Sequence, residues 1–125
     1  MSVSTSKRAE AILEKLVGFD TVSDKSNLEL IEWIENYLDQ HGVWHQRVQE
    51  NHGGKDKTSL IARIGPEVPG GIVLSGHTDV VPPGDSSAWR HDPFAGPGEG
   101  RELLGGSGRR GRGQSAWRLR DQIRL

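Results

Sequence analysis

Apolar side chains recur at Ala9, Ile12, Leu13, Leu16 and Val17, the i, i+3, i+4, i+7, i+8 spacing that lines one face of a helix, and this predicts a helix over about residues 5–17 that ends at Gly18. A polar loop, Ser23-Asp24-Lys25, follows. Ser26-Asn27-Leu28-Glu29 then has the S-x-x-E form of a capping box, and Leu30, Ile31, Ile34, Tyr37 and Leu38 continue at helical spacing to Gly42, a C-cap glycine. The pattern then changes period. Val43 to Gln49 reads as a strand, Asn51 to Lys57 as a turn-rich connection, and Leu60, Ala62 and Ile64 alternate with Ser59 and Arg63 as a half-buried strand. Pro66 to Gly71 turns the chain into Ile72-Val73-Leu74, an uninterrupted apolar run expected as a buried strand. The order helix, helix, strand, strand, strand predicts an α/β class with no internal repeat. Two helices and three strands are too little for a complete enzyme.

Composition divides the chain in two. Of its 125 residues 33% are hydrophobic and 17 are glycine, and the formal net charge is only −1. Residues 1–95 carry 9 Lys and Arg against 14 Asp and Glu, whereas residues 96–125 carry 7 against 3, so an acidic body is followed by a basic tail. The expected organisation is therefore residues 1–95 as an ordered portion and residues 96–125 as a Gly/Arg-rich disordered tail. Cysteine is absent, which excludes disulfides and thiolate metal ligands. The N-terminus has no apolar signal core, and no apolar stretch approaches the ~20 residues of a membrane span. A soluble cytoplasmic protein is expected.

The chemistry centres on Gly76-His77-Thr78-Asp79-Val80-Val81-Pro82, directly after the apolar run. In α/β enzymes reactive groups sit beyond the carboxyl ends of strands. Residues i and i+2 of an extended chain point to one side, so the His77 ring and the Asp79 carboxylate can meet. A carboxylate on one ring nitrogen leaves the other available to a metal, the common outer arrangement around a zinc histidine. A strand-end turn with an Asx-type hydrogen bond is the alternative reading of a bare H-x-D. His41, His45 and His52 fall at a helix end, in a strand and in a turn, and read as solvated or partly buried side chains. Glu32, Glu35 and Asp39 read as the solvated face of the second helix.

Three stretches together resemble the family of acetylornithine deacetylase, succinyl-diaminopimelate desuccinylase and carboxypeptidase-G-like dinuclear zinc amidohydrolases. They are Leu16 to Ser23 with Ser26 to Ile31, then Ser75 to Pro82, then Trp89 with Asp92-Pro93-Phe94. The first is particularly similar to acetylornithine deacetylase, and the histidine segment is common to the family. The resemblance implies the N-terminal part of a zinc-exopeptidase-like catalytic domain with a mixed sheet, in which His77 is a metal ligand and Asp79 the catalytic carboxylate that orients it. It also implies zinc or cobalt as cofactor, a small-molecule N-acyl amino acid as substrate, and a homodimer for the intact enzyme, with no membrane or nucleic-acid partner. His91 and Asp92 are weaker ligand candidates, because the W-x-x-D-P-F loop is mainly a packing element in the family.

The family continues with a G-R-G-x-x-D-x-K-G segment, whose Asp bridges both metals, and then a Glu-Glu pair. Here the corresponding stretch runs from Gly100 to Gly111 with Arg109-Arg110 where the bridging Asp belongs, and Asp121 is the only acid after it. Residues 96–125 hold 8 of the 17 glycines and 7 of the 11 arginines but none of the 5 lysines. That bias suits GC-rich coding sequence read in the wrong register, so the tail is expected to be out of frame and the chain inactive by itself, with little zinc held. Deacetylation of N2-acetyl-L-ornithine in arginine biosynthesis is the activity implied, with desuccinylation of succinyl-diaminopimelate as the alternative within the family. A reading of another class takes Arg109-Arg110-Gly111-Arg112-Gly113 as a basic RNA-binding tail.

Overall fold

A computed structural model describes residues 5–89 and 92–95. Two helices come first, α1 (Thr5–Val17) and α2 (Leu28–Gln40), then two strands, β1 (Trp44–His52) and β2 (Lys55–Arg63), and a short 3-10 turn at Ser86–Ala88. The described residues separate into two compact units, one of residues 21–79 and one that holds residues 5–20 with 80–89 and 92–95. The class is α/β, as the periodicity predicts, and the two strands form an antiparallel pair where a mixed sheet was expected.

In the unit that contains α1, the helix spans the predicted residues. Gly18 closes it, its N–H reaching the Glu14 and Lys15 carbonyls at 3.2 Å each. A Cβ on Gly18 would lie 3.3 Å from the Lys15 carbonyl oxygen, so the position favours the smallest residue through close approach. Later in this unit, Trp89 Nε1 donates to the Pro83 carbonyl at 2.8 Å, and the Asp85 carboxylate accepts from the Ser87 N–H at 2.9 Å.

The unit of residues 21–79 is built on α2 and the β1–β2 hairpin. Leu30 and Ile31, 4% and 2% exposed, are the apolar anchors of α2, and Val22 is also buried. The helix ends in a Schellman motif: Gly42 has φ +63°, its N–H reaches the Asp39 carbonyl, and the Val43 N–H reaches the Leu38 carbonyl, both at 3.0 Å. The start of α2 differs from the expected capping box. Asn27 occupies the N-cap and makes no side-chain cap bond; Ser26 Oγ accepts from the Leu28 N–H at 3.2 Å. Asn27 is instead committed to β2. Its Nδ2 donates to the Thr58 carbonyl at 2.7 Å and its Oδ1 accepts the Thr58 N–H at 2.9 Å.

The hairpin is longer than the turn-rich composition of residues 51–57 suggests. Gly53 and Gly54, at φ +60° and +82°, form a two-residue turn, and pairing continues from Trp44 opposite Arg63 to His52 opposite Lys55. Two consecutive left-handed residues match the twist of a tight hairpin, and only a pair such as Gly-Gly adopts them without strain. One face, with Arg47, Thr58 and Leu60, is the more covered. On it Arg47 forms a two-pronged ion pair with Glu35 of α2, Nε to Oε1 at 3.0 Å with a second, closer contact between NH2 and Oε2. Glu35 is thus taken off the solvated helix face on which its spacing placed it. Trp44, Val48 and Ile61 on the opposite face are 44–55% exposed.

The expected third strand is not formed. Ile72, Val73 and Leu74 have no regular secondary structure and are 88%, 90% and 81% exposed. An apolar run becomes a buried strand only when neighbours pair with its backbone and cover both faces, and among the described residues the sheet stops at two strands. Ala62 and Ile64, expected on the covered side of the preceding strand, are likewise exposed, Ile64 by 86%. Residues 96–125, with the expected disordered and out-of-frame tail, lie outside the described residues.

Candidate active-site segment

His77 and Asp79 do meet. Nδ1 of His77 lies 3.0 Å from Asp79 Oδ1 and 2.9 Å from the Asp79 carbonyl oxygen. Both neighbours are acceptors, so Nδ1 carries the proton in the neutral ring and the lone pair falls to Nε2. Both side chains are a little over half exposed. The histidine–carboxylate pair is therefore present without the strand expected before it, and main chain and carboxylate of Asp79 face the same ring nitrogen.

The second carboxylate oxygen is also engaged. Ser23 Oγ donates to Asp79 Oδ2 at 2.9 Å, across a sequence separation of 56 residues. This hydrogen bond is the largest cause holding the Asp79 carboxyl below the usual carboxylate range; partial burial opposes it, and the His77 ring adds to it. Two further bonds fasten the neighbouring residue: Thr21 Oγ1 donates to the Thr78 carbonyl at 2.5 Å, and Asn27 Nδ2 to Thr78 Oγ1 at 3.1 Å. Residues 21–27 thus clamp residues 78–79 at three points.

That clamp is itself held by β2. Lys57 Nζ donates to the Ser23 carbonyl at 2.8 Å and also to the Lys25 carbonyl, and Lys55 Nζ donates to the Asp24 carbonyl. With the Asn27–Thr58 pairing added, the support runs from β2 through the loop to the His77 segment. Sequence reasoning missed Thr21, Ser23 and Asn27 as members of this site. They lie in polar loop and cap positions, where hydrophobic periodicity carries no information about a partner more than 50 residues away.

Other histidines serve local structure. His41 Nδ1 lies 2.8 Å from the Tyr37 carbonyl oxygen, with the two rings 4.4 Å apart. His45 Nδ1 lies 3.1 Å from the Val43 carbonyl oxygen, and its Nε2 is 3.9 Å from Asp39. His52 Nε2 meets Glu50 at 3.0 Å in an exposed pair. Asp92 accepts from the Phe94 N–H at 2.9 Å, a local turn of the W-x-x-D-P-F loop, while His91 lies outside the described residues. Among the described residues no three His, Asp or Glu side chains converge as a metal shell. No described helix is long and apolar enough to cross a membrane.

Comparison with known proteins places these observations in a family. The chain is 58% identical over 53 residues to succinyl-diaminopimelate desuccinylase of Methylobacterium sp. strain 4-46, a match covering 42% of this chain and 13% of that protein. It is 44% identical over 77 residues to acetylornithine deacetylase of Pasteurella multocida, covering 62% of this chain and 19% of that one. A longer match, 36% over 104 residues, joins 82% of the chain to 26% of the succinyl-diaminopimelate desuccinylase of Rhodopseudomonas palustris BisB5. The chain therefore spans between about an eighth and a quarter of the length of these relatives. No family model matches it, and no solved structure does. Matches to both enzymes, together with the H-x-D geometry, mean that the chain belongs to the succinyl-diaminopimelate desuccinylase and acetylornithine deacetylase family of metal-dependent amidohydrolases.

Proposed function

We propose that residues 9–95 are part of an amidohydrolase that removes the acyl group of an N-acylated amino acid, with His77 as a metal ligand through Nε2 and Asp79 as the carboxylate that orients it. The observation that supports this reading is the fixed tautomer: Asp79 presents two oxygens to Nδ1, which leaves Nε2 as the ligating nitrogen. The donor chemistry suits one corner of a zinc or cobalt shell, because neutral imidazole binds such ions and an ionised carboxylate behind it raises its basicity. The metal, when bound, polarises the amide carbonyl and activates water. His77 fixes where that charge sits relative to the segment, and Asp79 keeps the ring from rotating.

Acetylornithine is the substrate suggested by residues 16–31. The alternative, succinyl-diaminopimelate, is favoured by the 58% match to the Methylobacterium enzyme. The test is a chimera in which residues 9–95 replace the matching segment of the Pasteurella enzyme, assayed with both substrates. Metal-dependent deacylation that His77→Ala abolishes is expected. An active chimera indifferent to His77→Ala would overturn the metal-ligand reading. The same proposal takes residues 96–125 as out of frame; coding DNA with no shifted frame restoring an Asp-containing glycine segment and a Glu-Glu pair would refute that part.

A further inference from the structure

Ser23 is the one side chain outside the H-x-D segment that touches the Asp79 carboxylate in the described contacts, and it does so on the oxygen that His77 leaves over. An aspartate on an exposed segment ordinarily rotates about two side-chain bonds, so a single contact to the ring does not fix its plane. A second tether does. The tether here is not loose: the Ser23 carbonyl accepts from Lys57 of β2, and the residues on either side of the loop hold Thr78 through Thr21 and Asn27.

We propose that Ser23 is a positioning residue for His77: by holding Asp79 Oδ2 it keeps Oδ1 turned to Nδ1 and so keeps the lone pair on Nε2. This rests on the reading of Asp79 as the orienter of His77. The geometry assigns the job to the hydroxyl rather than to the loop as a whole, because Thr21, Asn27 and Lys57 bind main chain or Thr78 and none of them reaches the carboxylate in the same way. Loss of the hydroxyl hands Oδ2 to water and lets the carboxylate plane turn. The Asp79 carbonyl remains an acceptor at Nδ1, but without the carboxylate beside it the preference for the Nδ1–H form weakens.

The test is the tautomer ratio of His77 in the purified 125-residue chain, read from imidazole nitrogen shifts above about pH 8.5, where an ordinary imidazole is neutral. In the parent chain the Nδ1–H form should dominate. Ser23→Ala should lower its ratio to the Nε2–H form roughly two- to ten-fold, less than Asp79→Ala does, since the carboxylate is the nearer partner. Ser23→Thr, which keeps the hydroxyl, should restore the parent ratio, whereas a merely structural serine would not show this rescue. An unchanged ratio in Ser23→Ala alongside a changed one in Asp79→Ala overturns the role of Ser23 and leaves Asp79 standing. An unchanged ratio in both overturns the orienting role of Asp79 and, with it, this inference. A shift in Ser23→Ala that Ser23→Thr does not repair also counts against it.

Discussion

Asn27 grips Thr58 with both ends of its amide, Nδ2 on the carbonyl at 2.7 Å and Oδ1 on the N–H at 2.9 Å, so one side chain does for β2 what another strand residue would do. Both residues are buried, at 8% and 5% exposure. This pairing ties the first turn of α2 to the hairpin, and the loop before it to the His77 segment.

Asn27→Ala should therefore destabilise the unit of residues 21–79 by about 2–3 kcal/mol, because two buried main-chain groups lose their side-chain partner. Asn27→Asp should also be costly, since a carboxylate has no proton to give the Thr58 carbonyl. Urea denaturation followed by circular dichroism would measure both. A loss below about 0.5 kcal/mol would mean that water replaces the amide without penalty.

Acid should loosen α2 from the hairpin. The Arg47 guanidinium, hydrogen-bonded to Glu35, holds that carboxyl below its ordinary value, and Glu35 is only 17% exposed. A lowered folded value makes the pairing fully stabilising above the unfolded glutamate pKa of about 4.3, and its contribution is lost as pH falls through the folded value. Asp79 shifts in the same direction and acts in the same acid range. The thermal midpoint should hold between about pH 7 and 5 and fall below that, and Glu35→Gln should remove part of the fall. A parent and a Glu35→Gln chain with parallel profiles from pH 6 to 3 would contradict this.

At the hairpin tip the cost of substitution should be backbone strain alone, because a Cβ on Gly53 or Gly54 would meet nothing within 4 Å. Gly54→Ala, at φ +82°, should cost roughly 1–2 kcal/mol, while Gly53→Asn should be close to neutral, asparagine being at home in the left-handed region. Thermal unfolding of the two variants would compare them. Equal losses would argue for a different turn geometry.

The chain by itself should hold zinc no more tightly than scattered histidines do. One imidazole with its outer carboxylate is short of the three or four ligands that a zinc site needs, and His77→Ala should change competition with a chromophoric chelator little. Tight one-to-one binding that His77→Ala abolishes would point to ligands among residues outside the described set, with His91 the first to replace.

Helices were legible because their apolar faces repeat: Ala9 to Val17 and Leu30 to Leu38 predict α1 and α2 to within a residue or two. The hairpin was legible as two strands, but its length was hidden, since Gly53-Gly54 reads as generic loop until its two left-handed residues close it. Ser26-x-x-Glu29 misled because the capping-box pattern ignores tertiary demand; Asn27 satisfies Thr58 first. Ile72-Val73-Leu74 misled for the opposite reason, as apolar character predicts burial only where something covers it. At the site, His77 and Asp79 could be paired by spacing two apart, whereas Ser23 could not, because loop-to-loop contacts leave no periodic trace.

The Ser23–Asp79 and Thr21–Thr78 bonds join residues 56 and 57 apart, while α2 and the hairpin are closed by neighbours in sequence. Closing a long loop carries an entropy cost that grows with the logarithm of its length, about 0.6 kcal/mol for each doubling, and no gain offsets it until the ends meet. Local elements should therefore come first in folding time, with the histidine segment docking last onto a loop fastened by Lys55 and Lys57. A segment held by three side-chain bonds, one exposed and two partly buried, should also open first. In amide exchange, residues 76–79 should lose protection well before Leu30 and Ile31, so the His77–Asp79 pair should come apart in local openings that leave α2 and the hairpin folded.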